Sequence, residues 1–237
     1  MTTTKQAVKT LLEARSIAII GASENPEKVS GRPLYYLVKE GYAGKVFPVN
    51  PKYDQLMGLR CYPDLASIED DVDLAIITVR AEQLEEELLK GIAKGVKAFV
   101  VFTSGFAEYN EEGRQRQERI RQICEEHRVA LLGPNSVGMF NSRSGLIATF
   151  ATALEKNGIL PGEFGFVSQS GALGVYFFDM MQKEGIGFSK WVSTGNEAVL
   201  NTTDFLDYLV DDEETKVIGM YLEDIKDGHR FAALALK

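Results

Sequence analysis

Short apolar runs alternate with amphipathic helical patterns along most of this chain, and this alternation limits the possible folds more than any other feature. The runs are continuously apolar, which indicates strands covered on both faces. Such strands separated by helices predict an α/β fold with parallel sheets, because parallel strands need a crossover connection. The first five runs are 17–20, 45–49, 74–79, 97–102 and 129–132, and helices are predicted at 81–94 and 111–127.

The alternation stops around residues 141–163, in a stretch marked by Gly, Ser and Pro, and then resumes. We therefore predict a doubly wound parallel sheet at 1–143, a connection at 144–160 and a smaller α/β domain at 161–237. Later strands are predicted at 164–168, 188–193 and 216–222, with helices near 171–185 and 202–211.

The composition argues against several classes of function. With 26 Lys and Arg against 34 Asp and Glu, the net charge is −8, so nucleic acid is not an expected partner. No apolar run approaches the ~20 residues of a membrane span, and the start MTTTKQAVKT lacks the apolar core of a secretory signal. Cys61 and Cys124 have neither a disulfide framework nor metal-ligand spacing, so we expect no metal site and a cytoplasmic protein.

The loops after the strands are the expected ligand sites, because ligands of doubly wound sheets lie at the carboxyl ends of strands. After the first strand, IIGASENPEKVSGRP places Gly21 where a turn lets backbone N–H groups approach a phosphate, with a helix start behind it. The spacing is not G-x-G-x-x-G, so the usual dinucleotide fingerprint is absent. A tight turn without a ligand is the alternative explanation.

The end of the second strand favours one class of nucleotide. An NAD site would carry Asp or Glu there for the ribose 2′-hydroxyl, whereas this chain reads PVNPK, with no acid until Asp54. Lys52 would attract a phosphorylated ribose, which occurs in coenzyme A (CoA) and in NADP. Taken alone, Lys52 is better explained as an exposed turn lysine.

Residues 166–174, FVSQSGALG, run from an apolar strand into two serines and a helix start. They do not form the G-x-S-x-G elbow of serine hydrolases, since Ser168 and Ala172 occupy the glycine positions around Ser170. Hydroxyls and N–H groups at a helix N-terminus predict an anion site rather than a nucleophile. An ordinary N-cap is the alternative.

Six motifs in order resemble the NDP-forming acyl-CoA synthetases, a family of acid–thiol ligases that includes ADP-forming acetyl-CoA synthetase and is related to the succinyl-CoA synthetase α subunit. The motifs are SIAIIGASENPEKVSG, GKVFPVNPKYDQLMGLRCYPDL, TSGFAE, LLGPNSVGMFN, FVSQSGALG and STGNEA. The resemblance covers essentially the whole chain. It implies a Rossmann-like CoA-binding domain followed by a flavodoxin-like α/β domain, which we expect to be truncated here.

In that family a histidine carries phosphate from a nucleotide site, on an ATP-grasp domain or subunit, to a carboxylic acid, and the CoA thiol then attacks the acyl phosphate. The resemblance implies that this chain is the CoA-binding portion of such a ligase. ATP and Mg²⁺ would act only through a further domain or partner subunit, in a homo- or hetero-oligomer. The phosphorylated histidine would lie in a downstream loop; His127 and His229 lie in other contexts, so we expect neither to replace it.

The resemblance also implies roles for individual residues. Contacts to CoA are expected in the loops after the first two predicted strands and at three later strand ends: Gly21, Ala22, Ser23, Lys28, Pro48, Asn50, Lys52, Thr78, Val79, Ser104, Gly105, Phe106, Gly133, Pro134 and Asn135. A phosphate cradle is expected at Ser168, Ser170 and Gly171, with the Glu223 carboxylate orienting the phosphohistidine. Arg80 departs from the family, which more often has proline there.

Other functions stay open at this stage. A non-catalytic CoA-sensing module, or the front part of a protein lysine acetyltransferase, would carry the same motifs. An NADP dehydrogenase is a further alternative, although no Tyr-x-x-x-Lys pair or comparable constellation stands out. The sequence does not identify the acid.

Overall fold

The computed structural model describes residues 4–237, apart from the side chains of residues 156 and 157. Up to residue 132 its main feature is a five-stranded sheet. The elements in chain order are α1 (Thr4–Leu12), β1 (Ser16–Ile20), α2 (Arg32–Lys39), β2 (Lys45–Val49), β3 (Gln55–Leu56), β4 (Leu59–Arg60), β5 (Leu74–Ile77), α3 (Ala81–Lys94), β6 (Ala98–Val101), α4 (Glu111–His127) and β7 (Ala130–Leu132). β3 and β4 form a small separate hairpin.

The order of the first sheet creates a crevice at one edge. The strands run β2-β1-β5-β6-β7, and every neighbouring pair is parallel. The chain leaves β1 to one side for β2 and to the other side for β5, so the switch point lies between the carboxyl ends of β1 and β5. The predicted parallel sheet is confirmed, and α3 and α4 have the predicted bounds.

Burial explains why the strands of this sheet are continuously apolar. Every residue of β1, β5 and β6 is buried. Local signals then fix the helix ends: the Asn110 side chain accepts the Gly113 N–H at the start of α4, and Gly95 (φ +97°) ends α3 in the left-handed region. These helix ends determine where the loops of the carboxyl edge begin.

The rest of the chain forms a second, mixed sheet. Its elements are β8 (Gly138–Asn141), β9 (Leu146–Thr149), α5 (Leu154–Asn157), β10 (Pro161–Ser168), α6 (Gly171–Lys183), β11 (Phe188–Ser193), α7 (Thr202–Leu209), β12 (Val217–Tyr221) and α8 (Gly228–Ala235). The strand order is β12-β10-β11-β8-β9. β10 is parallel to β11 and β12, whereas β8 is antiparallel to β11 and β9.

The β8–β9 hairpin is the main difference from the sequence-based organisation. The sequence placed residues 138–149 at the end of the first domain and in the connection, but both strands belong to the second sheet. Gly138 (φ +101°) lets the two strands approach, since a Cβ there would lie 2.0 Å from the Ala148 carbonyl oxygen. The Ser and Gly residues at 142–145 are a hairpin turn, which resembles an interdomain connection in composition alone.

Helix α1 joins the two sheets. Its Leu11 and Leu12 are fully buried in one apolar cluster that includes Ile17 of the first sheet and Trp191 of the second. The Asn141 side chain also donates to the Leu12 carbonyl, at 3.1 Å. A shared core of this kind holds the two sheets in a defined relative position.

Candidate functional site

The loop after β1 packs against the end of β5, as the switch point requires. Gly21 has φ +83°, and a Cβ there would lie 2.9 Å from Thr78 Oγ1, so glycine fits both the backbone and the space. The N–H groups of Gly21 and Ala22 donate to the Val49 carbonyl at the end of β2, at 2.9 and 3.3 Å. These donors therefore join two strand ends instead of pointing into an open cradle.

Asn50 connects the β1 and β2 loops from the other side. Its side-chain amide donates to the Ala22 carbonyl at 2.8 Å, and its Oδ1 accepts the Lys52 N–H at 3.0 Å. Pro48 is buried within β2, and its carbonyl accepts the Tyr62 N–H. Of the two predicted CoA contacts next to Lys52, Asn50 is thus placed at the edge, whereas Pro48 is a strand residue.

Two lysines give this edge unpaired positive charge. Lys28 and Lys52 are both exposed, and neither forms an ion pair with any residue the structure describes. Ser23, in the same loop as Lys28, accepts the Asn25 N–H through its Oγ. The loop is thus held by its own hydrogen bonds while the Lys28 side chain stays available to an anionic ligand.

The ends of β5, β6 and β7 surround a groove of about 720 Å³. Phe102 and Phe150, whose ring centroids are 5.0 Å apart, supply an apolar wall. Arg80, exposed at the N-cap of α3, and Arg116 of α4 supply positive charge. Five predicted CoA contacts line this groove: Thr78, Val79, Ser104, Gly105 and Asn135.

Three other predicted CoA contacts are engaged in packing or hydrogen bonds within the protein. Phe106 is fully buried in the core, so its ring is not open to a ligand. The carbonyls of Gly133 and Pro134 accept the N–H groups of Ala198 and Asn196, at 3.0 and 2.9 Å. Gly133 and Pro134 therefore hold a loop of the second sheet against the first.

Among the groove residues, the sequence analysis missed Phe102, Phe150 and Arg116. Phe102 directly follows β6 and could have been found as a strand-end residue. Arg116 lies on α4, where no site residue was predicted, and Phe150 reaches the groove from the end of β9, which was not predicted.

The two serines of FVSQSGALG have different surroundings. Ser168 is fully buried, and its Oγ donates to the Ser170 carbonyl at 2.6 Å. Ser170 is the N-cap of α6 and accepts the Leu173 N–H at 3.4 Å. A Cβ at Gly171 would lie 2.5 Å from Val137 Cγ2, so the start of α6 packs closely on the chain before β8. Ser170 thus has the N-cap position that was the alternative explanation of this motif, Ser168 supports the turn from inside, and the anion site stays a prediction.

Glu223 lies two residues beyond β12, which is next to β10 in the sheet. Its side chain is exposed, and its N–H donates to Gln169 Oε1. The turn that carries Glu223, whose carboxylate was predicted to orient the phosphohistidine, is thus hydrogen-bonded directly to the residue that follows Ser168 at the end of β10. Gln169 was not among the predicted site residues, although it lies inside the motif FVSQSGALG.

Both histidines are exposed: His127 is the last residue of α4, and His229 lies in the first turn of α8. Within residues 4–237, no group of three or more His, Cys, Asp or Glu side chains could hold a metal ion. No helix in the described part of the chain has the length and hydropathy needed to cross a membrane.

The comparisons with known proteins agree with this architecture. Residues 15–142 match the family model described as a CoA binding domain, and residues 161–237 match the succinyl-CoA ligase-like flavodoxin domain. The chain is 41% identical over 223 residues to the Acetate–CoA ligase [ADP-forming] II subunit alpha of Pyrococcus furiosus, covering 94% of this chain and 48% of that protein. It is 36% identical over 230 residues to Acetate–CoA ligase [ADP-forming] II of Archaeoglobus fulgidus, covering 96% and 34%.

A solved structure shows the same arrangement. The dinucleotide forming acetyl-coenzyme A synthetase 1 of Ca. Korarchaeum cryptofilum, in complex with phosphate and ADP, superposes with a TM-score of 0.90 at 36% identity, covering 98% of this chain and 49% of that one. The chain spans at most about half the length of these three relatives. Because residues 15–142 match its family model, the chain belongs to the family of CoA-binding domains, and at residues 161–237 it carries a succinyl-CoA ligase-like flavodoxin domain.

Proposed function

We propose that this chain is the CoA-binding portion of an NDP-forming acid–thiol ligase, which makes acyl-CoA from a carboxylic acid, CoA and ATP through an acyl phosphate and a phosphohistidine. The observation that carries the proposal is the groove at the carboxyl ends of β5, β6 and β7, which five of the residues expected to contact CoA line. The similarity to ADP-forming ligases along nearly the whole chain supports it.

The groove and its rim fit the chemistry of CoA. CoA is a long molecule with phosphates at one end and a thiol at the other, so it needs separated cationic and less polar contacts. Lys28, Lys52 and Arg80 provide cations that form no ion pair with a described residue, and Phe102 and Phe150 provide an apolar wall. We assign Lys52 to the ribose phosphate, because Asn50 fixes its backbone beside the β1 loop. When bound, CoA would supply the thiol that attacks an acyl phosphate.

The end of β10 and the start of α6 would form half of a phosphoryl site. Ser170 and Gly171 begin a helix of 13 residues, whose N-terminus favours an anion. Glu223 extends from the neighbouring strand end and would orient a phosphohistidine supplied from outside residues 1–237. The ATP-grasp region with its ATP and Mg²⁺, and the carboxylic acid, would come from a further domain or a partner subunit, in a homo- or hetero-oligomeric cytoplasmic enzyme.

Calorimetric titration with CoA, dephospho-CoA and NAD tests the CoA assignment. We expect binding to weaken in that order, because dephospho-CoA lacks the phosphate assigned to Lys52, whereas NAD lacks that phosphate and also the thiol-bearing arm. A charge-assisted contact contributes about 1.5–3 kcal/mol, so the first step should be at least about tenfold. In Lys52→Gln, CoA and dephospho-CoA should bind almost equally.

Lys97→Gln is the matched control. Lys97 is exposed directly before β6, at the opposite edge of the sheet, so this change should leave the order intact. Equal affinity of the unaltered chain for CoA and dephospho-CoA would contradict the role of Lys52. Absence of CoA binding would contradict the proposed function.

A further inference from the structure

At the carboxyl end of β6, the carboxylate of Glu108 holds the loop at residues 103–106. The N–H groups of Gly105 and Phe106 both donate to Glu108 Oε1, at 2.6 and 3.2 Å. Successive N–H groups around a residue with positive φ (Gly105, +99°) form a concave anion site. This loop therefore binds a carboxylate of its own chain.

The same carboxylate is bound from the second sheet. Asn196, in the connection between β11 and α7, donates its side-chain amide to Glu108 and to Gln117, the latter at 2.9 Å. Its Oδ1 accepts from the Asn135 side chain at 3.2 Å, and its backbone N–H donates to the Pro134 carbonyl. One side chain thus connects the β6 loop, α4 and the β7 loop.

The charge on Glu108 strengthens this connection. Partial burial raises the pKa of Glu108, but the hydrogen bonds from Asn196 and from the loop N–H groups outweigh it, so the pKa lies below its ordinary value. The carboxylate is therefore ionised at neutral pH. Hydrogen bonds to an ionised acceptor are roughly twice as strong as neutral ones.

We propose that Glu108 and Asn196 are positioning residues for the groove, and this inference rests on the proposed binding of CoA. Ser104 and Gly105 lie in the loop held by Glu108, and Asn135 is bonded to Asn196; all three line the groove. Neither Glu108 nor Asn196 belongs to the lining in the described part of the chain, so both act through other residues. A shift of the second domain would release these contacts together.

The arrangement also limits how the loop recognises CoA. Because Glu108 occupies the Gly105 and Phe106 N–H groups, the phosphates of CoA bind to Lys28, Lys52 and Arg80 and not to this anion site. The loop contributes the Ser104 hydroxyl and the backbone surface of Gly105.

Asn196→Asp tests the inference without shortening a side chain. The substitution replaces the amide that donates to Glu108 with a carboxylate, which cannot donate and repels Glu108. At pH 7.5 we expect the Kd for CoA to rise about tenfold and the Gly105 and Phe106 amides to exchange faster with deuterium. Glu108→Gln keeps an acceptor for the loop N–H groups, so its affinity for CoA should lie between that of the unaltered chain and that of Asn196→Asp.

Gln115→Glu is the matched control, since it adds the same charge on the exposed face of α4 and should change neither measurement. Titrations are made well below the melting temperature of each variant, where a purely stabilising role would leave the Kd unchanged. An unchanged Kd in folded Asn196→Asp, or unchanged amide exchange, would overturn the positioning role. If the unaltered chain binds no CoA, the proposed function fails, and the exchange measurement still decides whether the cross-domain contact holds the loop.

Discussion

Gln169, at the end of β10, holds the backbone of Glu223 two residues beyond the end of β12. Its Oε1 accepts the N–H groups of Glu223 and Asp224, the latter at 2.9 Å, and its Nε2 donates to the Asp224 carbonyl at 2.8 Å. One side chain thereby satisfies three backbone groups of the neighbouring turn. Gln169 therefore helps to fix the backbone that carries the Glu223 carboxylate.

The first prediction follows from these bonds. Gln169→Ala should speed deuterium exchange at Glu223 and Asp224 and lower the free energy of unfolding by about 1–3 kcal/mol, because three backbone groups lose their partner. Gln122→Ala removes an exposed glutamine of α4 whose side chain bonds only Glu118 among the described residues, so it should change neither quantity. Unchanged exchange in Gln169→Ala would show that the turn is held by other contacts.

The sequence predicted well which residues lie at the ends of strands, but it predicted poorly which distant loops contact each other. Thr78, Ser104 and Asn135 reach one groove because each follows a parallel strand, which the alternating pattern reveals. Gln169 and Glu223 are 54 residues apart, and their contact depends on β12 lying beside β10, an order that no local pattern encodes. Burial caused a different discrepancy at Phe106, whose ring fills the core next to the loop that was expected to use it.

The second prediction concerns the glycine of the β1 loop. Gly21→Ala forces a left-handed backbone and places a Cβ 2.9 Å from Thr78 Oγ1, so we expect a loss of about 1–3 kcal/mol in chemical denaturation. Gly58→Ala separates the two causes, because Gly58 has a similar φ of +82° and no atom within 4 Å of the new Cβ. Equal losses in the two variants would mean that contact with the β5 end contributes nothing.

The third prediction concerns what residues 1–237 do by themselves. Phosphoryl transfer needs a nucleotide site, a metal site and a group that accepts the phosphoryl. The two histidines of the chain, His127 and His229, are exposed at helix ends, and we expect neither to be that acceptor. Incubation with γ-labelled ATP and Mg²⁺ should leave the chain unlabelled, and added acid and CoA should give no thioester. An intact ADP-forming ligase serves as the positive control. Acid-labile label on His229 would contradict the proposal that the phosphorylated histidine lies elsewhere.

The fourth prediction concerns the cysteines. Burial raises the pKa of Cys124 to about 12 and also raises the pKa of Cys61. The thiolate is the reactive form, so neither side chain should react with iodoacetamide in the folded protein at pH 8, and both should react in urea. Unfolded thiols ionise near pH 8.5, so these groups favour folding below that pH and progressively less as the pH rises above it. Fast labelling of Cys124 in the folded protein would contradict its burial.

The last prediction compares two buried threonines. Thr203 of α7 is 1% exposed, and its Oγ1 has no hydrogen-bond partner in the described part of the chain. Thr149 of β9 is also buried, but its Oγ1 donates to the Val137 carbonyl at 2.6 Å and accepts the Ala151 N–H at 3.1 Å. On folding, the Thr203 hydroxyl loses its hydrogen bonds to water and gains none from a described residue. Thr203→Val removes this hydroxyl, so we expect the folded state to be stabilised by about 1 kcal/mol.

The same change at Thr149 keeps the shape but takes the partner from the Ala151 N–H and leaves the Val137 carbonyl with the Phe150 N–H at 3.4 Å, so Thr149→Val should destabilise by about 1–3 kcal/mol. Urea denaturation of both variants measures the two effects on one scale. Since volume and branching change equally, the difference between them isolates the hydrogen bonds. A destabilised Thr203→Val would mean that this hydroxyl has a partner in solution, which at the start of α7 would be a buried water or a ligand atom.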